Sequence, residues 1–329
     1  MRDGRTYAAI FALIAATVVA EQPAAAVLSI VSTVLLPGVH GRIGHLAADS
    51  HHGRLFVAIA GNDSVEVIDV RTNSLFASIH EVKEPHSVAY VESSNKIFLT
   101  NGADGTLRIF DGASLKPSGN VHLGNDPGAI RVDGAGQKIY VGYGHGMIGV
   151  FDPAGKKLGD IALPSHPESF QLSENQPWLY VNLPGSHSIA VVDVSKLKVI
   201  AEWPIPDAGE NFALALDSEK RRMFVVCRRP SRLVVLNMDS GKVVARLPTA
   251  GDADDLFYDA IHARIYVIGG QGKISVYSQQ TADLYSELDS VATVAGTRTG
   301  LFVPEWNRFV VAVRDFGAHS AEIRIYQPQ

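Results

Sequence analysis

The sequence predicts an all-β fold, a single seven-bladed β-propeller with four-stranded antiparallel blades. Three observations carry this expectation. A short apolar motif recurs at a near-constant interval, each interval holds the same run of strands and turns, and the beginning of the chain reads as the piece missing from its end.

The recurring motif is an aromatic or β-branched residue inside an apolar run. It occurs at Phe56 (LFV), Phe98 (IFL), Tyr140 (IYV), Tyr180 (LYV), Phe224 (MFV), Tyr266 (IYV) and Val310 (FVV), at intervals of 42, 42, 40, 44, 42 and 44 residues. A period of roughly 40–45 residues divided among four short strands is the signature of a propeller blade. Residues 84–125 show the pattern. A first strand SVAYV (87–91) and the turn ESSNK lead to a second strand KIFLT (96–100). The polar loop NGADG follows, then a third strand TLRIFD (106–111) and a more polar fourth. Third strands end at Asp69, Asp111, Asp152, Asp193, Asn237, Ser278 and Gln327. Asp or Asn suits that place because its side chain can accept hydrogen bonds from backbone amides two residues on, so these acids are read as turn formers.

The chain stops at EIRIYQPQ, a third strand with nothing after it, whereas LSIVSTVLLPG (28–38) resembles the fourth strands LKVIAEWPIPD (197–207) and GKVVARLPTAG (241–251). Residues 28–36 are therefore expected to supply the outer strand of the C-terminal blade. That closes the ring and removes a free sheet edge. No composition break divides residues 27–329, which are read as one domain.

Composition sets the outer bounds. Hydrophobic content of 46% with 19% charged residues is that of a globular protein. A net charge of −5 gives no broad cationic footprint for nucleic acid or anionic membrane, and the local Arg228–Arg232 loop is the one basic cluster set against that. Residues 1–26 read as a cleaved secretory signal peptide. Arg2 and Arg5 precede the apolar run Tyr7–Ala20, and small residues offer cleavage after Ala20 or Ala26. No later stretch approaches the ~20 apolar residues of a membrane span, so a periplasmic or secreted monomer is expected. Cys227 is the only cysteine, which excludes an intramolecular disulfide and a Cys-x-x-Cys-His haem attachment; at the end of MFVVC it is read as a core residue.

Ile97-Phe98-Leu99-Thr100-Asn101 and Leu179-Tyr180-Val181-Asn182 resemble the YVTN repeat, and Asn62–Thr72 (NDSVEVIDVRT) is similar to that family's third strand and turn. The likeness to YVTN-repeat, YncE-like seven-bladed propellers covers residues 28–329, with blades five to seven degenerate at the turn Asp. It implies a blade architecture and a binding or scaffold role, and it carries over no catalytic residue.

Loops joining fourth to first strands, and second to third strands, share one propeller face around the channel, where rigid blades present binding residues. The repeat maps His40, Arg42, His45, His86, His145, His166, His187 and His319 to that face, and His51, His52 and His262 to the other. Neutral imidazole suits transition metals, although no pair has helical ligand spacing. Glu168, Asn211 and Asp254, spaced 43 and 43 residues apart, open successive blades. Such oxygen ligands suit Ca²⁺ or another divalent cation, an arrangement similar to that of propeller lactonases. The alternative reading is that these three residues end the preceding turns, and that Asp252, Asp254 and Asp255 are a solvated acidic cluster. Arg228, Arg229, Arg232, Lys273, Arg298 and Arg314 also reach this face, and arginine forks favour carboxylates and phosphates.

The reading that follows is an exported propeller that binds a small-molecule or protein partner through His45, His86, His145, His166, His187, Arg228 and Arg298, without catalysis. Two alternatives stand beside it. One is a lactonase-like hydrolase, and the other is an accessory protein of a periplasmic quinoprotein or cytochrome system. Neither a Gly-x-Ser-x-Gly elbow nor a phosphate-cradling Gly-x-x-x-x-Gly-Lys-Ser/Thr loop is present.

Overall fold

The structure, a computed structural model, describes residues 26–329. The signal-peptide reading of 1–26 thus falls almost wholly outside the described residues. Among the described residues, seven four-stranded antiparallel sheets account for all the strands, and the short helical elements between them are single 3₁₀ turns. Blades 1 to 7 begin with the inner strands Ile43–Asp49, Pro85–Val91, Ile130–Val132, Phe170–Leu172, Gly209–Asp217, Ala253–Asp259 and Thr299–Val303. Each inner strand touches those of the blades on either side, and the last touches the first. That contact pattern is a closed propeller ring.

The residue pattern explains the sheets. Second and third strands are almost fully buried, as in Leu55–Ile59 and Val65–Ile68, because both of their faces meet a neighbouring blade. They read as continuous apolar runs. Fourth strands have one face in water and alternate, as in Lys198–Pro204. The core is divided into seven apolar clusters, one for each contact between adjacent blades. Between blades 1 and 2, for example, Phe56, Val65 and Val67 pack on Val88, Ile97, Leu99 and Phe110.

Ring closure follows the expected scheme. Leu28–Leu35 pairs antiparallel with Glu322–Pro328, from Leu28 opposite Pro328 to Leu35 opposite Glu322. The turn residues also act as their chemistry dictates. The Oδ1 atoms of Asp69, Asp111, Asp152, Asp193 and Asn237 each accept a hydrogen bond from an amide two residues on. Four further aspartates at the hairpins between first and second strands, Asp49, Asp133, Asp217 and Asp259, accept amides two to four residues on. His52 and His262 bond Asp49 and Asp259 there, on the face opposite the candidate site.

Candidate functional site

Each inner strand pairs with its second strand through one equivalent contact: Leu46–Val57, Val88–Leu99, Ile130–Val141, Phe170–Val181, Leu214–Val225, Leu256–Val267 and Gly300–Val311. Two residues before these stand Gly44, His86, Gly128, Glu168, Phe212, Asp254 and Arg298. This is one position per blade, on a ring at the channel mouth. His86, Phe212 and Asp254 are the extra residues of β-bulges, where the register slips between Pro85 and Ser87, Asn211 and Ala213, and Ala253 and Asp255. Bulges re-aim side chains and terminate pairing. Six of the seven ring residues, all but Gly44, line a cavity of about 440 Å³ together with Arg42, His45, Asp126, His166, Arg228 and Arg314.

The sector formed by blades 5 to 7 is closed by ion pairs. The Arg228 fork reaches Asp254, and its guanidinium lies 3.7 Å from the centroid of the Phe212 ring. Arg298 meets Asp252 at 3.0 Å and Asp254 at 3.6 Å. Burial nevertheless raises the pKa of the Asp254 carboxyl, outweighing the pull of Arg228, His45 and Arg298. Deeper in the channel His45 Nδ1 meets Asp255 at 3.2 Å, and Asp255 also accepts the Gly300 amide at 3.0 Å. Burial opposes charge on His45, but Asp255, by proximity and hydrogen bond, raises its pKa overall. Arg131 lies below, where burial lowers its pKa.

Blades 2 to 4 present acceptors. His86 Nδ1 donates to the Pro127 carbonyl at 3.2 Å, and His166 Nδ1 donates to the Gly144 carbonyl at 2.6 Å. With the δ proton donated to the carbonyl, Nε2 of each ring is left to a second partner, and that of His86 lies 3.7 Å from Glu84 Oε1. His86 Nε2 is buried and has no hydrogen-bond partner. Gly102 makes room for it, since a Cβ there would fall 2.5 Å from the imidazole. His166 Nε2 lies 3.8 Å from Asp126 and 4.0 Å from Glu168. Burial raises the Glu168 pKa, and the like charge of Asp254 adds to the effect.

Of the residues singled out from sequence, His45, His86, His166, Arg228, Arg298, Glu168 and Asp254 share this cavity. His145 and His187 are exposed in outer loops of the same face and do not line it. Asn211 is fully buried one residue before the ring, its amide donating to Asn182 Oδ1 at 3.0 Å and to the Ser188 carbonyl at 2.9 Å. Glu168 and Asp254 line the cavity, whereas Asn211 does not. Among the described residues no three His, Cys, Asp or Glu side chains are grouped so as to hold a metal ion. Sequence reasoning missed Phe212 and Asp126; the first was recoverable from the 42-residue offset to Asp254.

No family model and no curated protein matches the chain. Among solved structures it is similar to Kuenenia stuttgartiensis hydrazine synthase, with a TM-score of 0.74 and 16% identity over 84% of this chain and 96% of that one. It is also similar to a chain of the mitotic checkpoint complex, with a TM-score of 0.77 and 14% identity over 98% of each. The chain is a seven-bladed β-propeller. At these identities the likeness shows the fold alone. No helix among the described residues is long and apolar enough to cross a membrane.

Proposed function

We propose that this chain is an exported propeller of the YVTN-repeat type that binds a small polar ligand, or a polar segment of a protein partner, at the channel mouth and performs no chemistry on it. The observation that supports this reading is the convergence of six of the seven equivalent ring positions on a single cavity of about 440 Å³. That volume lies within the range of small-ligand sites. The lining is polar and carries unpartnered donors and acceptors, whose burial costs free energy unless an occupant satisfies them.

Gly128 supplies the test. It lines the cavity, and a Cβ added there would meet nothing within 4 Å. Gly128→Phe should fill the mouth while leaving the blades intact. Expected is a melting temperature close to that of the parent, with loss of whatever ligand or partner the mature parent protein captures from periplasmic extract. Capture that persists in a folded Gly128→Phe variant would move the binding surface elsewhere.

One observation favours the hydrolase alternative. Glu168 has no hydrogen bond from its side chain among the described residues, and its pKa is raised, as a general base near neutrality requires. Lactone hydrolysis by the parent that Glu168→Gln abolishes would establish that reading in place of binding alone.

A further inference from the structure

The cavity wall separates its unspent charges into two poles. Arg228 and Arg298 are consumed by Asp252 and Asp254. Removing that neutral quartet leaves Arg42 and Arg314 on one side, at the junction of blades 7 and 1. Asp126 and Glu168 remain on the other, at blades 3 and 4. In a seven-membered ring these sectors face each other across the channel.

The cationic pole is held in place. Asp315, next to Arg314, accepts the Gly41 amide at 2.9 Å and meets His40 Nδ1 at 3.1 Å, which ties residues 40–42 to residues 314–315. Arg314 lies across Gly296, where a Cβ would fall 2.6 Å from Arg314 Cδ. Among the described residues neither Arg42 nor Arg314 has an ion-pair partner, and Arg314 Nε is buried without any hydrogen-bond acceptor. A fork of this kind is matched by a carboxylate or a phosphate.

The opposite wall presents acceptors. His166 commits its δ proton to the Gly144 carbonyl and sets Nε2 3.8 Å from Asp126 and 4.0 Å from Glu168, while the His86 ring lines the same wall with its Nε2 buried. An ammonium group, with three N–H donors and a positive charge, satisfies such a wall.

We infer that the occupant is a zwitterion, its anionic group held by Arg42 and Arg314 and its ammonium group held by Glu168, Asp126 and the Nε2 atom of His166. This inference rests on the binding reading above and names its ligand class. A wholly anionic ligand would face the acceptor wall unpaired, and a simple amine would leave the arginines unpaired.

The test is calorimetric titration of the mature protein at pH 7.5 and low salt with ω-amino carboxylates from glycine to 6-aminohexanoate. Alkylamines and alkyl carboxylates of matched length and a neutral sugar alcohol serve as comparisons. The expected result is one chain length that binds at least about tenfold tighter than both of its singly charged matches. Arg314→Gln and Arg42→Gln should each remove the advantage over the amine, and Glu168→Gln the advantage over the carboxylate, in variants that keep the parent's circular dichroism and melt no lower than the parent. Equal affinity for a zwitterion and its carboxylate would overturn the inference. So would binding of a singly charged or neutral probe in preference to every zwitterion, while the binding reading would stand. Failure of every probe class to bind would overturn both.

Discussion

Arg228 is clamped between two ring residues of neighbouring blades, its guanidinium 3.7 Å from the centroid of the Phe212 ring and its fork on Asp254. The stack orients the fork, and the fork holds Asp254 against the burial that raises its pKa. Phe212→Ala should remove both the ring's packing and the cation–π contact. A loss of about 1–3 kcal/mol in urea unfolding is expected, with unchanged m-value. Phe212→Leu should recover the packing share only. Equal stability of all three proteins would show that Arg228 is held by Asp254 alone.

The same pair shows how far the sequence could be read. The repeat interval located every blade because each blade must bury its second and third strands against neighbours, and that demand recurs at a fixed spacing. The ring-closing strand was legible for the same reason: Leu28–Leu35 looks like a fourth strand because it does the work of one. At the channel mouth the reading slipped by one residue in blade 5, from Phe212 to Asn211. Asn211 faces the blade 4–5 contact and bonds Asn182, whereas the bulge turns Phe212 to the channel. A bulge adds one residue without any compositional mark, so alternation cannot locate it. The pairing of Arg298 with Asp252 depends on how adjacent blades pack, and that of His45 with Asp255 across blade 7 on ring closure, neither of which strand patterns encode.

Glu168 should be a stability liability at neutral pH. Burial, reinforced by Asp254, raises its pKa in the folded chain above the unfolded value of about 4.3. A raised carboxyl pKa means that the folded state binds the proton more tightly. Its stabilising share is present below about pH 4 and is lost as pH rises through the folded pKa. Replacing the ionised group by a neutral isostere should therefore raise the melting temperature of Glu168→Gln at pH 7.5, with the gain shrinking toward zero at pH 4. Constant difference across that range would place the effect in packing instead of ionisation.

Gly44 and Gly128 occupy equivalent ring positions yet should respond in opposite ways. A Cβ at Gly44 would fall 2.4 Å from the His86 carbonyl oxygen and 3.1 Å from that of Pro85, both backbone atoms of the adjacent blade. Only displacement of blade 2 relieves that clash, so Gly44→Ala should cost about 1–3 kcal/mol. Gly128→Ala adds its methyl to open space and should stay within about 0.5 kcal/mol of the parent. Paired chemical denaturation curves give the comparison.

Cys227 is fully buried in the core between blades 4 and 5, and burial pushes its thiol pKa up to about 12. The thiolate is the reactive form. An aromatic disulfide reagent at pH 8 should therefore leave the folded protein unlabelled and modify one thiol per chain after urea unfolding. Prompt labelling without denaturant would mean that blade 5 opens locally.

The last blade is built from both ends of the propeller, so its outer strand bears on the stability of the whole ring. Val34 is 3% exposed and packs in the cluster that joins Ile323, Ile325 and Ala312 of blade 7 to Ile43, Leu55 and Val57 of blade 1. Val34→Ala leaves a void in that cluster and should cost about 1–2 kcal/mol. Deleting residues 28–36 is far more severe. It strips the hydrogen-bonded partner from Glu322–Pro328 and leaves that strand as a free edge. In an open repeat array such damage would melt one end while the other units persisted. In a closed ring the inner strand of blade 7 also contacts those of blades 6 and 1, so the injury spreads in both directions. The deletion should therefore lower the melting temperature of the entire molecule in a single transition and promote aggregation, as read by calorimetry and light scattering. Two separate transitions, with most of the enthalpy unmoved, would show that blades 2 to 6 stand without the closure.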